Sequence, residues 1–100
     1  MQRASIENDL VRKVLRSVTE SKMETVEEIQ YRYTQLHPPS FFMRKMPSVS
    51  IQNLEWALRF LVREEYVRRE ITRYTDRVLK HDTPVYQLSQ KGLAFVLKKK

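Results

Sequence analysis

Apolar residues recur at helical spacing near the start of the chain, where Ile6, Leu10, Val11, Val14, Leu15 and Val18 fall on one stripe. Ser5 precedes them as a cap, and Glu7 and Asp9 stand where first-turn acids complement the helix dipole. The pattern predicts a first helix over 6–20. A second follows Thr25-Val26-Glu27-Glu28, a capping box in which Thr25 and Glu28 each satisfy an orphaned backbone N–H. Val26, Ile29, Tyr33 and Leu36 share a face, and Pro38-Pro39 stops the helix near Leu36 by excluding helical geometry at His37 and removing donors.

A connector between prolines holds Phe41, Phe42, Met43 and Met46 around Arg44 and Lys45. Two outcomes stand open for it: tucked under the first helix, or exposed as a partner surface. Beyond Pro47, Ser48 and Ser50 offer caps, and Val49 is spaced to staple against Leu54 if Ser50 is the N-cap. Ile51, Leu54, Ala57, Leu58, Leu61 and Val62 form the stripe of a third helix over 50–64, with Leu54, Leu58 and Leu61 facing the first two helices. Composition then turns β-branched and aromatic over 66–75, predicting a strand that returns as Val85-Tyr86-Gln87-Leu88 after the polar run 76–84. Ser89 caps a short last helix carrying Leu93, Val96 and Leu97. The expected fold class is mostly α with a β-hairpin (α+β), in one domain over 1–100 that pools all elements into a single core.

Charge narrows the class of partner. The 100 residues carry a net charge of +7, with 41% hydrophobic and 31% charged side chains, a globular balance that leads toward an anionic partner. Positions 1–47 hold 8 basic and 6 acidic residues, whereas 48–100 hold 11 and 6, so the excess lies in the second half. Cysteine is absent, which removes disulfides, thiolate metal sites and a Cys nucleophile. With no apolar stretch near the roughly 18 residues a membrane span needs, no membrane partner is expected, and the expected location is the cytoplasm, or the nucleus in a eukaryote.

Three helices followed by a hairpin resemble the winged-helix division of the helix-turn-helix proteins: three helices, a two-stranded wing and a short C-terminal helix. The most specific stretch, Pro84-Val85-Tyr86-Gln87-Leu88-Ser89-Gln90-Lys91-Gly92-Leu93, is similar to the Y-x-L-[ST]-x-x-G ending of the wing in PadR-like regulators, and the chain's single glycine stands at the motif's glycine. Ser50, Leu54, Ala57, Leu58 and Leu61 match that family's recognition-helix pattern. The chain departs from it at Glu55, where an aromatic is usual, and at Glu65, where a glycine precedes the first wing strand.

The resemblance implies a third helix in the major groove and a basic wing on the phosphate backbone. Base contacts then fall to Ser50, Gln52, Asn53 and Trp56, since Gln and Asn can pair with an adenine edge. Backbone contacts fall to Ser48, Arg59, Arg63, Arg68, Arg69, Arg73, Arg77 and Lys80, and His81 could join them. Five of these cations lie within positions 68–80 against Glu70 and Asp76, more than cross-strand pairing with two acids absorbs. Other readings stand beside these. Gln52 and Asn53 can be plain solvated residues, and Trp56 with Phe60 can form a core flank or a dimer contact.

The expected function is a sequence-reading double-stranded DNA-binding protein, a transcriptional regulator acting as a homodimer on paired half-sites. RNA is the alternative nucleic acid, and a protein-interaction module the alternative class. His37 and His81 lack metal-ligand spacing and read as surface residues, so no metal or cofactor is expected. No enzyme is expected either. One glycine cannot build a phosphate-cradling loop, His81-Asp82 has no nucleophile motif beside it, and neighbouring acids such as Glu64 and Glu65 point apart on a helix.

Overall fold

A computed structural model describes residues 4–41, 46–72 and 83–98. The elements run α1 (Asp9–Ser17), α2 (Val26–Leu36), α3 (Ile51–Arg63), β1 (Val67–Thr72), β2 (Thr83–Leu88) and α4 (Gln90–Lys98). Four helices and a two-stranded antiparallel sheet make a mixed α+β fold, compatible with the winged-helix layout. Residues 73–75 of the expected first strand lie outside the described residues.

Local chemistry explains most boundaries. The capping box of α2 is formed, with Thr25 accepting from the Glu28 N–H at 3.3 Å and Glu28 accepting from the Thr25 N–H at 3.1 Å. Ser50 caps α3 by accepting the Asn53 N–H at 3.1 Å, and Val49 and Leu54 both enter the core as a staple requires. Helix α1 is shorter than the 6–20 expected, and its N-cap is Asn8, which accepts from Val11 N–H at 3.2 Å. Ser5 instead holds the preceding turn through the Glu7 N–H. At the other end Val18 is already extended, and the Ser17 hydroxyl bonds back to the Lys13 carbonyl.

The end of α3 is a Schellman cap. Tyr66 N–H reaches the Leu61 carbonyl at 2.8 Å and Glu65 N–H the Val62 carbonyl at 3.1 Å. That geometry puts the residue after the cap in the left-handed region, and Glu65 has φ 67°. It is the position where the resembling family carries glycine.

The core collects Val11, Val14 and Leu15 from α1, Ile29 and Tyr33 from α2, Leu54, Ala57, Leu58 and Leu61 from α3, and Val67, Tyr86 and Leu88 from the hairpin. Leu36, expected on the buried face of α2, is 52% exposed, because the helix ends there and the chain leaves at Pro38.

The hairpin pairs Val67 with Leu88 through to Thr72 with Thr83. The outer edge of β2 is also occupied: Glu24 and Tyr86 exchange both backbone hydrogen bonds at 2.8 and 2.7 Å, and Leu88 N–H reaches the Thr19 carbonyl. The α1–α2 connector therefore closes an edge that a bare hairpin would leave open. Glu24 is almost fully buried, and both its carboxylate oxygens are held by the Arg32 guanidinium, which also donates to the Ser17 carbonyl at 3.0 Å. One buried ion pair thus ties the end of α1, the strand-like connector and α2 together.

Candidate nucleic-acid interface

Helix geometry sorts the α3 side chains before any partner is invoked. Successive residues advance by about 100°, so Leu54, Leu58 and Leu61 point to the core while Gln52, Arg59 and Arg63 line up on the opposite face. These three are exposed, as that phase requires. Glu55 and Val62 lie on the flank toward the hairpin, and Asn53 lies on the other flank beside Phe60. Gln52 and Asn53, expected to act together, therefore face different directions.

The hairpin adds its own alternation. Side chains of a strand switch faces at every residue, and the buried Val67 and its partner Leu88 fix which face meets α3. Arg69 shares that face, opposite Tyr86, and lies beyond the core edge. Arg68 is on the reverse face, where it contacts Gln87 and Glu70, each at 3.3 Å. The two neighbouring arginines thus do not form one cationic surface.

Between α3 and the hairpin runs an open groove of about 410 Å³. Helix α3 lines it with Glu55, Arg59, Val62 and Arg63, and the hairpin with Arg69, Pro84 and Tyr86. Two arginines of α3 and one of the hairpin meet one carboxylate there. Arg63 lies 3.6 Å from Glu64 and 5.7 Å from the Phe60 ring centre, a loose, solvent-exposed pairing. Among the described residues no ion pair engages Arg59, Arg69 or Glu55. The groove presents uncompensated donors of planar, forked geometry suited to phosphate or to a guanine edge.

Several expected contacts sit elsewhere. The Ser48 hydroxyl oxygen is buried without a partner among the described residues, while its N–H donates to Thr34 at 3.2 Å, so this side chain is not presented to a phosphate. Ser50 spends one acceptor lone pair on the α3 cap, leaving its hydroxyl proton and one further lone pair. Trp56 is half-buried and packs against the core, with Phe60 buried beside it, which fits the core-flank reading better than base contact. Arg73, Arg77, Lys80 and His81 lie outside the described residues.

His37 is no plain surface histidine. Its ring lies 4.9 Å from that of Tyr33, and its Nε2 is buried without a partner among the described residues. Burial holds its pKa below the ordinary 6.5; Lys13 and Arg16 push the same way and Asp9 opposes them. In the connector, Phe41 and Met46 are 72% and 55% exposed, and neither is tucked under α1.

The groove was only partly visible in the sequence. Arg59, Arg63 and Arg69 were each legible as cations, but their convergence, and the selection of Arg69 over Arg68, depends on the strand register. Glu55 gave one signal, its departure from the aromatic of the resembling family.

No group of three His, Asp or Glu side chains among the described residues could hold a metal ion, and no described helix is long and apolar enough to cross a membrane. No protein-family model matches the chain, and no curated protein matches its sequence.

Proposed function

We infer that this chain is a winged-helix protein that binds double-stranded nucleic acid, DNA before RNA, with α3 in the major groove and the hairpin against the backbone. The observation that carries the reading is the groove in which Arg59, Arg63 and Arg69 outnumber the single carboxylate, Glu55, that lines it with them. Guanidinium groups gathered on the walls of one groove supply forked donors and a local positive field for an anionic ligand. Gln52 stands in line with Arg59 on the outward face of α3, where a paired hydrogen bond to adenine can be made.

A transcriptional regulator is the role that fits a small reader of duplex sequence, in the cytoplasm or, in a eukaryote, the nucleus. Paired half-sites call for two copies. The outward faces of α1 and α4, two helices that touch each other, are the surfaces for a homodimer, and Leu97 of α4 is 58% exposed.

The test is a gel-shift series over salt with duplex DNA, duplex RNA and single strands side by side. Salt-sensitive binding that is strongest for duplex DNA supports the reading. A protein-contact module, which the exposure of Phe41 and Met46 favours, would bind none of the three with a salt-dependent affinity.

A further inference from the structure

We propose that Glu55 reads a base: its carboxylate accepts the exocyclic amino group of a cytosine in the major groove while Arg59, one turn along the same helix, takes a nearby guanine. The proposal rests on the nucleic-acid reading above and names the sequence class that the groove selects.

A groove built only to grip phosphate gains nothing from a carboxylate, since at contact distance from a phosphate the negative charge offsets one of its arginines. Glu55 nevertheless lines the groove with Arg59, Arg63 and Arg69. An i,i+4 pair with Arg59 would be the ordinary use of such a residue, but among the described residues neither side chain is paired. Both are therefore available to a ligand. At a base edge the carboxylate has a natural partner, because cytosine is the base whose major-groove edge offers an amino donor without an adjacent acceptor, and Glu accepts from it. Arg in turn pairs with the two acceptors of guanine. The spacing agrees: one helical turn advances about 5.4 Å, against about 3.4 Å per base step, so the two bases stand one or two steps apart. Phosphates on either side remain for Arg63 and Arg69.

The test is selection from a pool of random duplexes with the wild-type chain, Glu55→Gln and Glu55→Ala, each first shown to keep the wild-type melting temperature. The wild type is expected to enrich a cytosine at one position, one or two steps from a guanine. Glu55→Gln should change that cytosine to adenine, for which Gln has paired hydrogen bonds, and Glu55→Ala should make the position degenerate, a loss of about 5- to 150-fold in preference there alone. If both variants enrich the wild-type motif, or weaken all positions equally, Glu55 reads no base and the proposal fails. If the wild type binds duplexes but enriches nothing, the groove is a phosphate clamp and the proposal fails while the function stands. If the wild type binds no duplex at any salt, the function fails with it.

Discussion

The α-carbon of Gly92 lies against the carbonyl of Tyr66, so close that a Cβ there would stand 2.1 Å from that oxygen and 2.7 Å from Leu88 Cδ1. The same carbonyl accepts the Ser89 N–H at 3.1 Å, and Ser89 Oγ accepts the Gly92 N–H at 3.0 Å. Glycine is thus required where α4 turns back onto the start of β1. Lys91 reinforces the joint, donating to the Glu64 carbonyl at 2.7 Å with its ammonium 4.4 Å from the Tyr66 ring centre.

Gly92→Ala is expected to destabilise by about 1–3 kcal/mol or more, because backbone rather than a flexible side chain blocks the methyl group. Chemical denaturation of the variant checks it. The α4 amide signals should move most, and an unchanged midpoint would mean that α4 does not dock there.

Glu65 occupies the left-handed position of the Schellman cap, which costs a non-glycine residue roughly 1–2 kcal/mol. Relief of that strain outweighs or balances the added freedom of the unfolded chain. Glu65→Gly should therefore be neutral or stabilising by up to about 1 kcal/mol, whereas Glu65→Val, stiff at Cβ, should be destabilising. Thermal melts should place Glu65→Gly level with or above the parent and Glu65→Val below it if the cap is formed as described.

The elements with short-range signatures were legible in the sequence. Thr25 with Glu28, Ser50 with Leu54, and the Tyr86 to Gly92 ending each carry their determinants within a few positions. The start of α1 was not, because Ser5 and Asn8 are both good caps and only the packing of the Val11, Val14 and Leu15 stripe decides between them. The Glu24–Tyr86 bridge left no trace, since one paired residue has no periodicity. Arg32 is eight residues from Glu24, a distance at which no local rule links an acid to a base. In the candidate site the residue types were readable and their grouping was not: register assigned Arg69 to the groove and Arg68 away from it, and helix phase parted Asn53 from Gln52.

Removing one partner of the Glu24–Arg32 pair should be costly, because it strands a charge where water does not reach. Arg32→Met is expected to destabilise by about 3 kcal/mol, the lower end for a broken buried pair because the guanidinium side is a third exposed. Adding Glu24→Leu should restore much of the loss. Urea denaturation of the single and double variants tests the coupling.

His37 should make stability depend on pH. Its folded pKa is held below 6.5 by burial first, then by Lys13 and Arg16. The unfolded chain therefore binds its proton first on acidification. This contribution is full above 6.5 and declines as pH falls through the folded value. His37→Gln should flatten that part of the curve, measured by denaturant unfolding between about pH 5 and 8.

The most direct measurement of the central claim is the salt dependence of duplex DNA binding by the wild-type chain and by Arg63→Ala/Arg69→Ala, a pair that unites α3 and the hairpin across the groove. Each phosphate that a missing guanidinium leaves unneutralised takes about one counterion from the slope of log affinity against log salt. The double variant should bind more weakly and show a slope shallower by roughly 1 to 2, with its melting temperature kept. A double variant with the wild-type affinity and slope would contradict the account, because the groove would then not be where the nucleic acid lies.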